Sequence, residues 1–143
     1  MIVASLLNGK GTTVLSVAPD MSVRDAARFL RDKRIGATVV LDVNRKLVGI
    51  LSERDVLNSV ADRGGAALAE AVSDIMTVDV RTCSLSTPIG VLMTTMTDSR
   101  VRHLPVVGND RVVGVVSIGD VVKSRIAEAE TEAEALKAYI ASG

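Results

Sequence analysis

Two Ser-x-x-Asp tetrapeptides, Ser52-Glu53-Arg54-Asp55 and Ser117-Ile118-Gly119-Asp120, stand 65 residues apart, each preceded at the same distance by a glycine, Gly49 or Gly114. Serine at a helix start accepts a hydrogen bond from an otherwise unpartnered backbone N–H. Aspartate at the third helical position is favourable to the helix dipole. On those grounds the pattern is a capping box used twice. The same atoms suit a second task. A helix N-terminus presents N–H donors to a phosphate, and an aspartate one turn into the helix can accept two hydrogen bonds from a ribose diol. Read that way, the repeat describes a pair of nucleotide cradles.

The elements around the tetrapeptides repeat as well. One copy runs over about residues 14–60 and the other over 80–126. Val14/Val80, Asp32/Asp98, Arg34/Arg100 and Val40/Val106 align at an offset of 66, and Asn44/Asn109, Gly49/Gly114, Ser52/Ser117 and Asp55/Asp120 at 65, so one residue is lost between two strands. Each copy reads β-α-β-β-α. A short strand surrounds residues 14–17 or 80–83. In the helix after it, Ser22 caps and Val23, Ala26, Ala27 and Leu30 form one apolar stripe; in the second copy Thr87 is the expected cap, Pro88 takes the first helical position, and Ile89, Leu92, Met93 and Met96 form the stripe. A hairpin follows, residues 37–41 with 47–51 and 104–107 with 112–116. Residues 66–72 read as a linker helix after Gly64-Gly65, and 121–141 as one long tail helix with a thin apolar stripe at Ile126, Ala129, Ala133, Leu136 and Ile140. That tail is expected to pack on its own domain, with a dimer-forming extension as the other reading. The expected division is 12–62, 63–77, 78–126 and 127–143: repeat, connection, repeat and helical extension.

Bulk properties narrow the function. Two halves of this size are each marginal alone, so they are expected to share a core. The chain is 48% hydrophobic yet its apolar runs are strand-sized, which points away from a membrane and towards a homodimer in the cytoplasm. No signal peptide is visible at Met1-Ile2-Val3-Ala4-Ser5. Lys+Arg and Asp+Glu are both 17, and aromatic residues make up 1%, which argues against a nucleic-acid partner. Cys83 is the single cysteine, so neither a disulfide framework nor a metal cluster is expected. Cys83 aligns with Val17 as a packed strand residue. His103, the single histidine, has no evident nucleophile beside it, and Gly9-Lys10-Gly11 lacks the Gly-Lys-Ser/Thr of a P-loop. No catalytic residue and no enzyme are expected.

With these residues in place the chain resembles a tandem pair of CBS domains, a Bateman module. The motifs that carry the resemblance are Gly49-x-x-Ser52-x-x-Asp55, Gly114-x-x-Ser117-x-x-Asp120, Arg102-His103-Leu104-Pro105-Val106 and Asp74-Ile75-Met76-Thr77. The resemblance implies an α+β fold in which two β-α-β-β-α repeats pack about a pseudo-two-fold axis, followed here by a helical extension. It implies a regulatory module that takes AMP, ADP, ATP, NAD(H) or S-adenosylmethionine in clefts between the repeats, as a regulatory ligand and not a catalytic cofactor, and signals to a protein target. By position, Asp55 and Asp120 would hold ribose hydroxyls, and Ser52 and Ser117 ribose or phosphate. Ile35, Gly36, Ala37, Val101, Leu104 and Pro105, with Ser16 and Thr82, would line the adenine slots.

The copies differ where this matters. Arg102-His103 replaces Gly36-Ala37, and Glu53-Arg54 replaces Ile118-Gly119. Arginine suits bidentate phosphate recognition, so Arg54, Arg100, Arg102 and His103 join the binding set, and the cleft near Asp120 and Arg102 is expected to be the better phosphate site. Alternatively these are edge-strand charges that shield a sheet. Lys10 either swings over a phosphate or is a plain exposed lysine. A different class of function also fits: an oligomerising interaction module or accessory subunit whose clefts stay empty.

Overall fold

The computed structural model of the protein describes residues 1–8 and 14–143. Helices α1 (Val3–Leu7), α2 (Val23–Lys33), α3 (Glu53–Arg63), α4 (Val72–Ile75), α5 (Ile89–Ser99) and α6 (Ile118–Ser142) are interleaved with strands β1 (Ser16–Val17), β2 (Ala37–Leu41), β3 (Leu47–Ser52), β4 (His103–Gly108) and β5 (Arg111–Ser117). In repeat one β1 runs parallel to β2 and β2 antiparallel to β3; in repeat two Cys83 makes the parallel bridge to Val106 and β4 pairs antiparallel with β5. The α+β architecture of two matching repeats is therefore present, with the long helix behind it.

Local chemistry sets the elements. Ser22 Oγ accepts the Asp25 N–H at 3.1 Å, and α2 buries Val23, Ala26 and Leu30 on one face. Strand β2 is central in its sheet and buried at every residue, as its run of Ala, Thr, Val, Val and Leu suits. The second hairpin closes on Asn109 and Asp110, both with positive φ (53° and 61°). The first uses a longer turn in which Asp42 Oδ1 accepts the N–H groups of Asn44 (2.8 Å) and Lys46 (2.9 Å). The residue lost between the copies comes from this turn: Leu41 pairs with Leu47, but Val107 pairs with Val112.

Each repeat completes its core with the segment that precedes the other repeat's first strand. Val72, Ile75 and Met76 of the connection join Val17, Ala26, Leu30, Val40 and Leu51. Val3, Leu6 and Leu7 of α1 join Ile89, Leu92, Met96, Leu104, Val106, Val116 and Val121 in repeat two. The backbone shows the same correspondence. Val72 N–H donates to Met21 O and Val23 N–H to Glu70 O, while Val3 N–H donates to Thr87 O and Ile89 N–H to Met1 O.

Three local expectations are corrected. Pro88, not Thr87, occupies the position before α5, and Thr87 Oγ1 instead accepts the Ser84 N–H at 3.0 Å, tightening the preceding turn. The linker is not one helix. A 3₁₀ run over Gly64–Ala69 ends at Glu70, whose carbonyl must turn out to bond the start of α2, and α4 begins afresh at Val72. The tail helix packs on its own domain only over its first turns, where Val121 enters the repeat-two core. It continues the second helix of repeat two, and from Ala129 onward every residue is exposed, because the module behind it ends near Val121, Ser124 and Glu128.

Candidate functional site

Both Ser-x-x-Asp tetrapeptides form complete capping boxes. Ser52 Oγ accepts the Asp55 N–H (3.1 Å) while Asp55 Oδ2 accepts the Ser52 N–H (2.9 Å); at Ser117 and Asp120 the distances are 3.2 and 2.8 Å. The first helical N–H is also taken, Glu53 N–H by Gly36 O (2.9 Å) and Ile118 N–H by Arg102 O (2.8 Å). In each first turn this leaves the N–H of the second helical residue, Arg54 or Gly119, to point at a ligand. The helix termini are thus weaker anion sites than the sequence implies, and side-chain cations must do more.

Those cations are held in an unusual backbone conformation. Helices α2 and α5 end in the same way. Ile35 N–H donates to Leu30 O and Val101 N–H to Met96 O, with Arg34 and Arg100 left-handed at φ 56° and 53°. This is a Schellman ending, in which the left-handed residue is usually glycine. An arginine there costs about 1 kcal/mol, a strain of the kind found at binding sites.

Two clefts lie between the repeats, and each draws on both. One, about 230 Å³, is lined by Ser52, Glu53, Arg54 and Asp55 at the start of α3, by Ile50 and Thr77, and by Arg100, Val101, Arg102 and His103 from the other repeat. The second, about 350 Å³, is lined by Ser117, Gly114 and Val115, by Arg34, Ile35 and Thr38, and by Leu7, Val14 and Leu15. Gly36, Ala37 and His103 border both. His103 Cε1 lies 3.3 Å from where a Cβ on Gly36 would sit, so the wall between the clefts is close-packed and depends on that glycine.

The sequence model of the CBS domain matches residues 11–62 and 72–127. The chain belongs to the CBS-domain family. A CBS-domain containing protein from Agrobacterium tumefaciens superposes with a TM-score of 0.84 at 44% identity, covering 87% of this chain and 92% of that one. A CBS domain protein from Pyrobaculum aerophilum, solved with AMP, gives 0.74 at 30%, covering 84% and 89%. A CBS domain pair solved with 5′-methylthioadenosine and S-adenosyl-L-methionine gives 0.78 at 25%, covering 91% and 98%.

Within this CBS pair the expected arginine geometry is corrected. Arg102 lines the cleft of Ser52 and Asp55, not that of Ser117, because the segment leading into β4 faces the end of β3 across the pair. Arg54 and Arg100 lie in the same cleft, and an adjoining groove of about 490 Å³ is lined by Arg54, Arg100, Arg102, Val101 and Ile118. Asp120 is held against Ser117 but does not itself line the larger cleft. Leu104 is 1% exposed in the repeat-two core, and Pro105 is buried with its carbonyl accepting the Cys83 N–H. Ser16, paired with Val39 on β1, and Thr82, exposed beside Cys83, border neither cleft. Lys10 lies outside the described residues. Arg34, absent from the expected set, borders the Ser117 cleft; its alignment with Arg100 was the available signal. The Cys83 thiol is half-buried and burial pushes its pKa up to about 11, the opposite of an activated nucleophile. Among the described residues no helix is long and apolar enough to cross a membrane.

Proposed function

We propose that the protein is a regulatory, non-catalytic module that binds an adenine nucleotide in the Ser52–Asp55 cleft and changes its affinity for a protein target in the cytoplasm. One observation carries the reading. The cleft brings Ser52 and Asp55 together with Arg54, Arg100 and Arg102, while the ion pairs of the described residues engage other cations, Arg28, Arg31, Arg63, Arg125 and Lys137. A carboxylate for the ribose diol beside three guanidinium groups, none of them in an ion pair among the described residues, suits an adenosine carrying several phosphates, which can run on into the adjoining groove. The AMP and S-adenosylmethionine found in the similar structures support an adenosine ligand of some kind. A ligand can shift the target affinity only by binding two states of the module differently.

The test is calorimetry and thermal shift with AMP, ADP, ATP, NADH and S-adenosylmethionine. ATP or ADP is expected to bind most tightly and to raise Tm by an amount equivalent to about 2–4 kcal/mol at large excess. No shift with any of the five would instead assign the clefts to a scaffold that works through protein contacts alone.

The strained arginine supplies a second expectation. Arg100→Gly removes the left-handed penalty and should stabilise the fold by about 0.5–1 kcal/mol, while ATP affinity falls by roughly fivefold to tenfold, the scale of one charge-assisted contact. Arg34→Gly should give the same stabilisation and leave binding in the Ser52–Asp55 cleft unchanged. Thermal melts and calorimetry on the two variants check both halves.

A further inference from the structure

Beyond Glu128 nothing among the described residues covers α6. Along its length Val122, Ile126, Ala129, Ala133, Leu136 and Ile140 recur at spacings of four and three residues. That is the seam of a two-stranded coiled coil, with Ile126, Ala133 and Ile140 at a and Val122, Ala129 and Leu136 at d. Val122, Ile126, Leu136 and Ile140 are 47%, 55%, 59% and 68% exposed, so the seam is open to solvent in the single chain. Ile126 and Ile140 at a with Leu136 at d supply, over part of the seam, the combination that favours two parallel strands.

The flanking charges choose the orientation independently. Arg125 and Glu132 stand at g, and Lys123, Glu130 and Lys137 at e. In a parallel, in-register pair each g residue faces the e residue of the next heptad on the other helix. Arg125 then meets Glu130 of the second copy, and Glu132 meets Lys137 of the second copy, both with opposite sign. An antiparallel pair puts g beside g and e beside e, which sets Glu132 against Glu132 and Lys123 against Lys137. In the single chain Arg125 and Lys137 lean on Glu128 (3.4 Å) and Glu134 (3.8 Å) of their own helix, exposed contacts that a partner can share.

We propose that α6 is a dimerisation helix that pairs in parallel and in register with α6 of a second copy of this chain. The seam is short and carries alanine at two positions, so the pairing is reversible. It does not depend on what the clefts bind.

Sedimentation equilibrium on the full chain tests it. The parent protein should be a concentration-dependent dimer. Leu136→Asp, at an exposed position, should leave the melting temperature of the fold in place and weaken the dimer about tenfold or more. Lys137→Glu should weaken it about threefold, and Glu132→Lys with Lys137→Glu should restore it. Ile140→Cys should cross-link two copies under mild oxidation, against the parent chain with Cys83 alone as control, since only a parallel pair brings the two positions together. A monomeric parent, a dimer indifferent to Leu136→Asp, a dimer strengthened by Lys137→Glu, or an Ile140→Cys variant that stays uncross-linked would each overturn the proposal.

Discussion

Asp55→Asn will weaken nucleotide binding by about 10- to 100-fold, while Asp120→Asn will change binding at the tighter site by less than threefold. The size follows from what the carboxylate does. One oxygen, Oδ2, is committed to the Ser52 N–H at 2.9 Å, which leaves Oδ1 for the ribose. A hydrogen bond to a charged acceptor contributes about 1.5–3 kcal/mol, and each 1.4 kcal/mol is about tenfold in affinity. Asparagine keeps an oxygen for the Ser52 N–H, so the box survives, and the loss at the helix dipole is only about 0.3–1 kcal/mol. The variant will therefore fold, and calorimetry will read binding and not unfolding. The asymmetry rests on the arginines. Three of them line the Asp55 cleft, whereas among the described residues Arg34 is the one cation lining the Ser117 cleft. Equal losses in the two variants would refute that ranking, and an unchanged Asp55→Asn affinity would remove Asp55 from the site.

The order of elements within each repeat and the three serine caps were legible because their signals are local. Ser22, Ser52 and Ser117 each accept the N–H three residues on, as sequence spacing alone requires. The partners of each cleft were not legible. Which repeat's Ser-x-x-Asp meets Arg102 depends on how the segment before β4 crosses to the end of β3, a long-range property that no spacing encodes. Arginine in a left-handed helix ending was hidden for the opposite reason: local preference favours glycine there, and tertiary structure overrides it at Arg34 and Arg100. Leu104 shows the limit of motif transfer. It belongs to the stretch that carries the family resemblance, yet strand alternation turns it into the core while His103 faces the clefts. The apolar stripe of α6 was visible, but amphipathicity says only that a face seeks cover, not what supplies it.

The repeated glycine has a different consequence in each copy, and Gly49→Ala against Gly114→Ala should expose it. A Cβ on Gly49 would lie 2.5 Å from Met76 Sδ, 2.9 Å from Met76 Cγ and 3.0 Å from the Thr77 carbonyl oxygen. The backbone cannot withdraw freely, because Ile50 and Thr77 exchange hydrogen bonds of 3.0 and 2.9 Å at that point. Gly49→Ala should therefore cost about 2–3 kcal/mol by overpacking, lowering Tm by roughly 4–12 °C for a chain of this size. On Gly114 the three nearest atoms to the Cβ would all belong to the Leu7 side chain, the closest Cδ2 at 2.8 Å. Those methyl groups end a flexible side chain on α1 and can rotate away, so Gly114→Ala should cost about 1 kcal/mol or less. The two variants should separate in binding as well. Thr77 and Ile50 both line the Asp55 cleft, so pushing the connection off β3 opens that wall and lowers nucleotide affinity along with stability. Melts and calorimetry run on the same samples will check the coupling. If Gly49→Ala loses stability yet keeps its full affinity, the approach of Thr77 to β3 serves the fold alone, and the glycine that precedes Ser-x-x-Asp is there for packing and not for the ligand.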